Sequence, residues 1–391
     1  MKTLSQSPTD PKFVQDPYSF YEQARETAAD AFWWQEYEMP AILSYDMVSK
    51  ILRDRRFGRE APAGLEPEKP NHQRDFWAIE DHSMLELEAP RHTRLRKLVL
   101  HAFTSRRVAA LAPEIDELAT QLARAMPAGG ANLLPHFAEK LPVIIIARLL
   151  GVPESDADQL LIWSHAMVAM YQANRNHETE VAASNAARDF AQYIREVIAR
   201  KRTRPGDDLI THLIAAEEDG TKLSTDELIA TCVLLLNAGH EATVHTIGNG
   251  VAAILKAGTN VATVPPEKLV EEILRYDTPL HMFQRWAYDD IQLGDLKIQK
   301  NTKVACLLGA ANRDPARWSD AATFDPCRAI QTNASFGAGA HFCIGAPLAR
   351  LELIRGLPIL FERHPHMRLM SDPEFSDSYH FHGLSELRVS Y

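Results

Sequence analysis

The sequence is poor in cysteine, with four in 391 residues and none closely paired. That is too few for the disulfide framework of a small secreted protein, and no spacing has the form of a zinc site, so a reducing, cytoplasmic setting is expected. No apolar run approaches the roughly 18 residues needed to cross a membrane. The stretch after Lys2 is polar, which argues against a signal peptide or anchor. Positive charge is also in short supply, 42 Lys and Arg against 52 Asp and Glu, a formal net charge of −10. Nucleic acid is therefore not the expected main partner. Repeats and low-complexity segments are absent, which removes solenoids and arrays.

What is present is ordinary globular material, 46% hydrophobic and 24% charged. At about 150 residues per domain the length suggests two or three units. The breaks at 127–130, 204–208 and 263–266 are too short for linkers, however, so a single large domain over 1–391 is expected. The proline-punctuated stretch 59–74 reads as a long surface loop bordering a site. Most of the rest has helical period. Ser224 with Glu227 predicts a capping box, and the pattern then runs to Gly258, a helix of about 48 Å. Its first half is apolar around the whole circumference (Leu228, Ile229, Val233, Leu234, Leu235, Leu236), which predicts passage through the molecular centre. Strand-like pieces are few: 41–43, 291–298, 304–308 and 387–389. The fold class read from these patterns is mainly α with small β-sheets.

The densest chemical signal is SFGAGAHFCIGAPLAR, Ser335 to Arg350. Gly337, Gly339 and Gly345 allow tight turns and close approach on both sides of Cys343. A helical pattern follows at once, with Pro347 near its first turn. A cysteine at a helix N-terminus is expected to have a lowered thiol pKa. Taken alone, such a residue is more often a small buried packing side chain. A nucleophilic hydrolase is a further reading, but it needs a His and an acid held beside the thiol.

At this loop the sequence resembles the cytochrome P450 family, the haem-thiolate monooxygenases, in their soluble bacterial form. Phe336, Gly339, Cys343 and Gly345 match the family's ligand loop. Further motifs follow the family order: PRHTRLRKLVLHAFTSRRV with His92 and Arg96, NAGHEAT with Gly239 and Glu241, EILR with Glu272 and Arg275, FQRWA with Arg285, then ANRDP and FDPCR. By themselves these residues have plainer explanations. His92 and Arg96, four apart, share a helix face that could simply be solvated; Arg285 could be an edge-strand charge; Glu272 and Arg275 could be a surface ion pair worth under about 1 kcal/mol.

The resemblance implies a single large fold with haem b (iron protoporphyrin IX) buried against a long central helix, and Cys343 as the iron ligand. It implies that His92, Arg96, Arg285 and His341 contact the haem propionates and that Gly239 and Phe336 lie against the macrocycle. Two His and two Arg suit a cofactor with two carboxylates. It further implies that Glu241 relays protons and that Glu272, Arg275 and Arg328 form a buried network fixing the cysteine loop. The expected activity is O2-dependent hydroxylation, or O- or N-dealkylation, of a mainly apolar small-to-medium organic substrate.

One position departs from the family pattern. The acid is usually followed at once by threonine, whose hydroxyl positions water for proton delivery; here Ala242 follows Glu241 and a threonine comes only at Thr243, about 100° further round the helix. Three alternatives stand: Thr243 substitutes through a local distortion, a substrate hydroxyl or ordered water takes the role, or the reaction depends less on it. The departure also keeps open a peroxide-driven peroxygenase or a non-hydroxylating oxidase; a haem sensor without turnover is a further reading. With no reductase motif after the cysteine loop, electrons are expected from a separate ferredoxin-type donor and its NAD(P)H reductase. The basic run Arg94, Arg96, Lys97, Arg106 and Arg107 is a candidate docking patch for an acidic donor. Candidate substrate-pocket residues are Phe76 and Trp77 in the long loop, Trp163, Met167, Met170 and Tyr171, Leu280 and Met282, and His382, although aromatic and Met residues at such spacing are more often plain core. Cys232, Cys306 and Cys327 are expected to be packing residues.

Overall fold

In the computed structural model, which describes residues 1–216 and 220–391, the central helix spans Thr225–Ala257. Ser224 Oγ accepts from the Glu227 N–H and the Glu227 carboxylate accepts from the Ser224 N–H, so the expected capping box forms. Gly258, at φ 62°, ends the helix in the left-handed conformation that costs glycine least. Flanking it are Lys140–Leu150, Ala157–Val168, the long helix His177–Thr203, and Pro266–Tyr276. These bury it almost completely, which answers to a sequence apolar all round. The core they form draws on side chains from Phe76 to Val389.

One short stretch of the central helix is different. Ala238 is exposed, and Gly239, Glu241, Ala242 and His245 are half-buried, between turns that are buried on both sides. The helix is thus open at its middle, where Ala and Gly leave room beside it.

The largest sheet has six strands in the order Thr3–Leu4, Ala31–Trp34, Met39–Ile42, Lys303–Leu307, Met282–Ala287, Phe57–Gly58. Met282–Ala287 runs antiparallel to Lys303–Leu307, with Arg285 opposite Val304. The strand expected over 291–298 is instead a hairpin, Ile291–Leu293 paired with Leu296–Ile298, turning at Gly294 with φ 57°. The strand expected near 387–389 is Arg388–Ser390, paired with both Arg368–Leu369 and Ala131–Asn132. The loop expected over 59–74 ends early: Asn71–Gln73 is a 3-10 turn and Arg74–Glu80 a helix, so Phe76 and Trp77 are helical rather than loop residues.

The cysteine loop leads into the helix Ala346–Arg363, which lies along Ala112–Ala125 and Pro266–Tyr276. Gly339 has φ 71°, and a Cβ there would fall 2.1 Å from the Leu52 carbonyl oxygen, so both conformation and space require glycine. Cys232 and Cys306 are buried packing residues; Cys327 is exposed, against expectation, because it lies in a turn where its N–H donates to Asp325.

Candidate active site

The cysteine loop is fixed by a network beneath it. Glu272 and Arg275, about 3% exposed, form a two-pronged pair, Arg275 Nε and Nη2 each 2.7 Å from one Glu272 oxygen. Arg275 also donates to the carbonyls of Asn312, Ala321 and Thr323, and Glu272 accepts from the Asp325 N–H. Arg328 Nε stands 3.6 Å from Glu272. The surface-pair explanation is thereby excluded. Ser335 Oγ donates to the Leu274 carbonyl, and Asn312 holds both Ser335 Oγ and the Ala334 N–H, which ties the start of the cysteine loop to the same helix.

Above this base the Cys343 N–H donates to the Phe336 carbonyl at 3.0 Å. The thiol receives N–H groups from Gly345 and Ala346 at the start of the helix, as expected. Burial nevertheless pushes its pKa up, and those N–H groups with Arg96 and Arg350 only partly offset this. The expected lowering is therefore corrected: desolvation of a thiolate costs more than the helix terminus and the two guanidinium groups return. Arg350 lies over the Phe336 ring at 4.5 Å.

Around the rim the structure gathers the expected cations. The rings of His92 and His341 are 4.2 Å apart. His341 Nε2 lies 2.9 Å from Glu88 Oε1, which also accepts the Arg59 N–H. Arg96 Nη2 donates to the Phe342 carbonyl at 2.7 Å, pinning the residue before Cys343. Arg285 is 3% exposed and donates to the Gln284 carbonyl, but among the described residues no carboxylate stands within ion-pair distance of it. Burial, then neighbouring Arg59, lowers Arg285 to about 10; burial, then His341, lowers His92 to about 4; burial lowers Arg96 and His341. In all four the first cause is burial, which disfavours the charged form of each group.

Sequence reasoning missed Arg59 and Glu88. Arg59 turns inward, paired with Glu86 and 6.0 Å from the Phe283 ring that Arg285 also faces, and its buried Nε has no hydrogen-bond partner. Nothing in a proline-rich run signalled this.

On the helix side, Glu241 sits among three imidazoles. His165 Nε2 and His240 Nε2 lie 3.3 and 3.2 Å from its Oε2, and His245 Nε2 3.5 Å from its Oε1. Burial pushes the Glu241 carboxyl up, but the imidazoles facing it, His165 first, outweigh this and hold the group well below the usual carboxylate range. Gly383 leaves the room for His245, since a Cβ there would fall 1.8 Å from its Nδ1. Of the three histidines, His240 lies in the NAGHEAT motif beside Glu241; His245, four residues after Glu241, and His165 were not singled out in the sequence. Thr243 is buried, and its hydroxyl donates to the Gly239 carbonyl at 3.2 Å. The Cβ direction of Gly239 points at Ile146 Cδ1, 3.5 Å away, an ordinary contact; Ala238 and Ala242 are the small residues on the open side.

Most of the expected pocket residues turn out to be packing. Trp163 stacks on Phe190, Met167 takes an Asn237 N–H on its sulfur, Met282 sits in an aromatic core, and His382 stacks on Phe375 at 3.8 Å. Phe76 and Met170 are buried, while Trp77, Tyr171 and Leu280 keep exposed surface. In the basic run Arg94 pairs with Glu227 and Arg107 donates to the Ala102 carbonyl, leaving Lys97 and Arg106 the exposed members.

A haem fits this arrangement on the structure's own terms. A thiol at the base, two buried guanidinium groups with unmet hydrogen-bonding capacity, and a helix opened at Ala238 and Ala242 match a flat dianionic cofactor with a ligand-accepting metal. Comparison with known proteins agrees. The sequence model described as Cytochrome P450 matches residues 267–377. The chain is 36% identical to Cytochrome P450 107B1 of Saccharopolyspora erythraea, over 93% of this chain and 92% of that protein. It is 35% identical to 6-deoxyerythronolide B hydroxylase of the same organism, over 93% and 92%. Among solved structures, P450BioI in complex with an acyl carrier protein bearing hexadec-9Z-enoic acid superposes with TM-score 0.91 at 31% identity, covering 97% of this chain and 99% of that one. No helix among the described residues is long and apolar enough to cross a membrane. The chain belongs to the cytochrome P450 family, and is an oxidoreductase, a monooxygenase with a haem cofactor that acts on a small molecule with O2 and a redox partner.

Proposed function

We propose that the chain is one haem domain, 1–391, that hydroxylates or dealkylates a mainly apolar, small-to-medium organic molecule in the cytoplasm, with electrons from a ferredoxin-type donor and its NAD(P)H reductase. The observation that carries the site assignment is Arg285, a buried cation with no carboxylate partner among the described residues, grouped with Arg59 and His341 beside the Cys343 loop. In this reading haem b is held by Cys343 through its sulfur, with Arg285, Arg59, Arg96, His92 and His341 facing its carboxylates and Phe336 against its plane. When bound, the haem supplies O2 activation and oxygen insertion, strengthened by electron donation from the thiolate.

The protein's own residues do the rest. The Glu272 network keeps the cysteine loop from shifting as the sulfur gains charge. Cations at the rim neutralise the propionates, and the apolar lining excludes water. Glu241 passes protons toward the oxygen site. Thr243 is spent on its own helix, so an ordered water or a substrate hydroxyl, rather than Thr243, positions the proton beside Ala242. The relatives include 6-deoxyerythronolide B hydroxylase and P450BioI in complex with an acyl carrier protein bearing hexadec-9Z-enoic acid, which supports an apolar portion in the substrate. Haem-loaded protein with a ferredoxin, its reductase, NAD(P)H and 18O2 tests the reading: one labelled oxygen in the product is expected, and donor-independent inactivity toward every apolar ligand that shifts the haem spectrum contradicts it.

The absence of a hydroxyl at Ala242 favours one second reading, a peroxygenase. Turnover with H2O2 alone at a rate matching the donor-supported one would select it.

A further inference from the structure

Glu241 is more heavily surrounded than proton transfer requires. The Nε2 atoms of His165 and His240 approach the same oxygen, Glu241 Oε2, at 3.3 and 3.2 Å, and the three ligand atoms lie within 4.8 Å of one another. A tetrahedral zinc ion with bonds of about 2.0–2.1 Å separates its ligand atoms by about 3.3 Å. Two of the three edges of such a face already have that length.

The tautomer of His240 adds an independent reason. His240 Nδ1 is 2.9 Å from the Leu236 carbonyl, to which it donates, and this leaves Nε2 of the neutral ring as a bare lone pair. That nitrogen is fully buried and has no hydrogen-bond partner among the described residues, yet it points at a carboxylate oxygen. Two lone pairs facing each other across 3.2 Å repel. A cation between the two atoms satisfies both. An imidazole anchored to a backbone carbonyl through its other nitrogen is also the usual preparation of a metal-binding histidine. His245 supports the arrangement from the far side, through Glu241 Oε1. His165 is half exposed, which gives an ion an entry path.

We propose that His165 Nε2, His240 Nε2 and Glu241 Oε2 form a binding site for a divalent d-block cation such as Zn2+, and that its occupancy withdraws Glu241 from proton delivery. Two imidazoles and a carboxylate are a donor set suited to zinc, with a water completing the shell. The other two His-acid groups among the described residues are poorer hosts. At His72, His177 and Glu180 the His72–Glu180 bond is already closed at 2.7 Å, and beside Asp277 both imidazoles, His281 and His382, are fully buried, unlike half-exposed His165. The inhibitory half of the proposal rests on the proposed role of Glu241; the binding half does not.

Equilibrium dialysis of the haem-loaded protein against ZnCl2, with metal analysis, tests the site. One tight equivalent per chain is expected, weakened more than about tenfold by His165→Ala and by Glu241→Gln, variants whose haem content reports that they are folded, and unchanged by His72→Ala. Unaltered affinity in His165→Ala, loss in His72→Ala, or no tight equivalent overturns it. Product formed per NAD(P)H consumed is expected to fall with Zn2+ in the wild type and not in His165→Ala. Binding without that fall overturns the inhibitory half alone. The carbon monoxide spectrum of the same samples reports separately on the haem assignment, so a missing thiolate band would discard that reading while the zinc result stood.

Discussion

The two walls of the site are built on opposite plans. On the cysteine side the central pair under the loop is closed, although Arg328 Nε beside it and Glu352 Oε2 on the following helix lack hydrogen bonds among the described residues: Glu272 takes Arg275 through two 2.7 Å bonds, the remaining Arg275 donors reach backbone carbonyls, and the loop is tied to that helix through Asn312 and Ser335. On the helix side polar groups face one another with needs unmet: His240 Nε2 lacks a partner, Glu241 is shared by three imidazoles, Ala242 offers nothing, and Thr243 turns to its own backbone. Fully satisfied buried polar groups rigidify a structure, whereas partly satisfied ones mark where protons or ligands come and go. The first wall is a scaffold and the second is apparatus. The same class of residue, a buried glutamate on a helix, serves both.

The contrast is open to being broken. The largest effect is expected from Glu272→Ala, which leaves Arg275 buried without its partner and costs about 3–5 kcal/mol. Denaturant titration should show this together with loss of haem from the purified protein; a variant with full haem content would mean the network is not the scaffold. Next comes Arg285→Leu. Haem retention, measured by transfer to a haem acceptor, should fall about 10- to 100-fold for loss of a charge-assisted hydrogen bond. The haem-free chain should be as stable or more so, because an unpaired buried cation has been removed. Destabilisation of both forms would make Arg285 structural instead.

A smaller effect concerns pH. Burial, then Glu86, raises buried Glu80 to about 7, and Tyr171 donates to its carboxylate from another element at 2.9 Å. Its pKa is higher folded than unfolded, so the folded chain binds the extra proton. The associated stability is fully present below about pH 4.5 and is lost as pH rises toward 7. Glu80→Gln should flatten that decline, by an amount on the order of 1–3 kcal/mol across the interval, in stability measured against pH. An unchanged slope would place the titration elsewhere. The smallest effect is expected from Thr243→Ala: product per NAD(P)H should change by less than about twofold, and strong uncoupling would show that Thr243 serves the oxygen site after all.

What could be read in the sequence was what local chemistry dictates. The capping box at Ser224, the glycines around Cys343 and the three-residue spacing of Glu272 and Arg275 each impose their geometry within one or two turns of chain. The family order of motifs then placed His92, Arg96, Arg285 and His341 at one rim. Arg59, Glu88 and His165 escaped because each matters only through a partner brought close by tertiary folding: Arg59 through Arg285 and Glu86, Glu88 through His341, His165 through Glu241. Phe76 and Trp77 were misplaced because prolines upstream masked the start of a short helix. The thiol pKa was misjudged for a different reason, since a helix terminus is visible in sequence and the depth of burial that opposes it is not.

The central claim is that Cys343 offers its sulfur to a haem iron from a base the Glu272 network holds in place. The carbon monoxide difference spectrum of the reduced protein tests it most directly. A red-shifted thiolate band in the wild type, lost in Cys343→Ser while haem is still bound, is the predicted result. A wild type that binds haem and carbon monoxide without that band, or a Cys343→Ser variant that keeps it, would contradict the account.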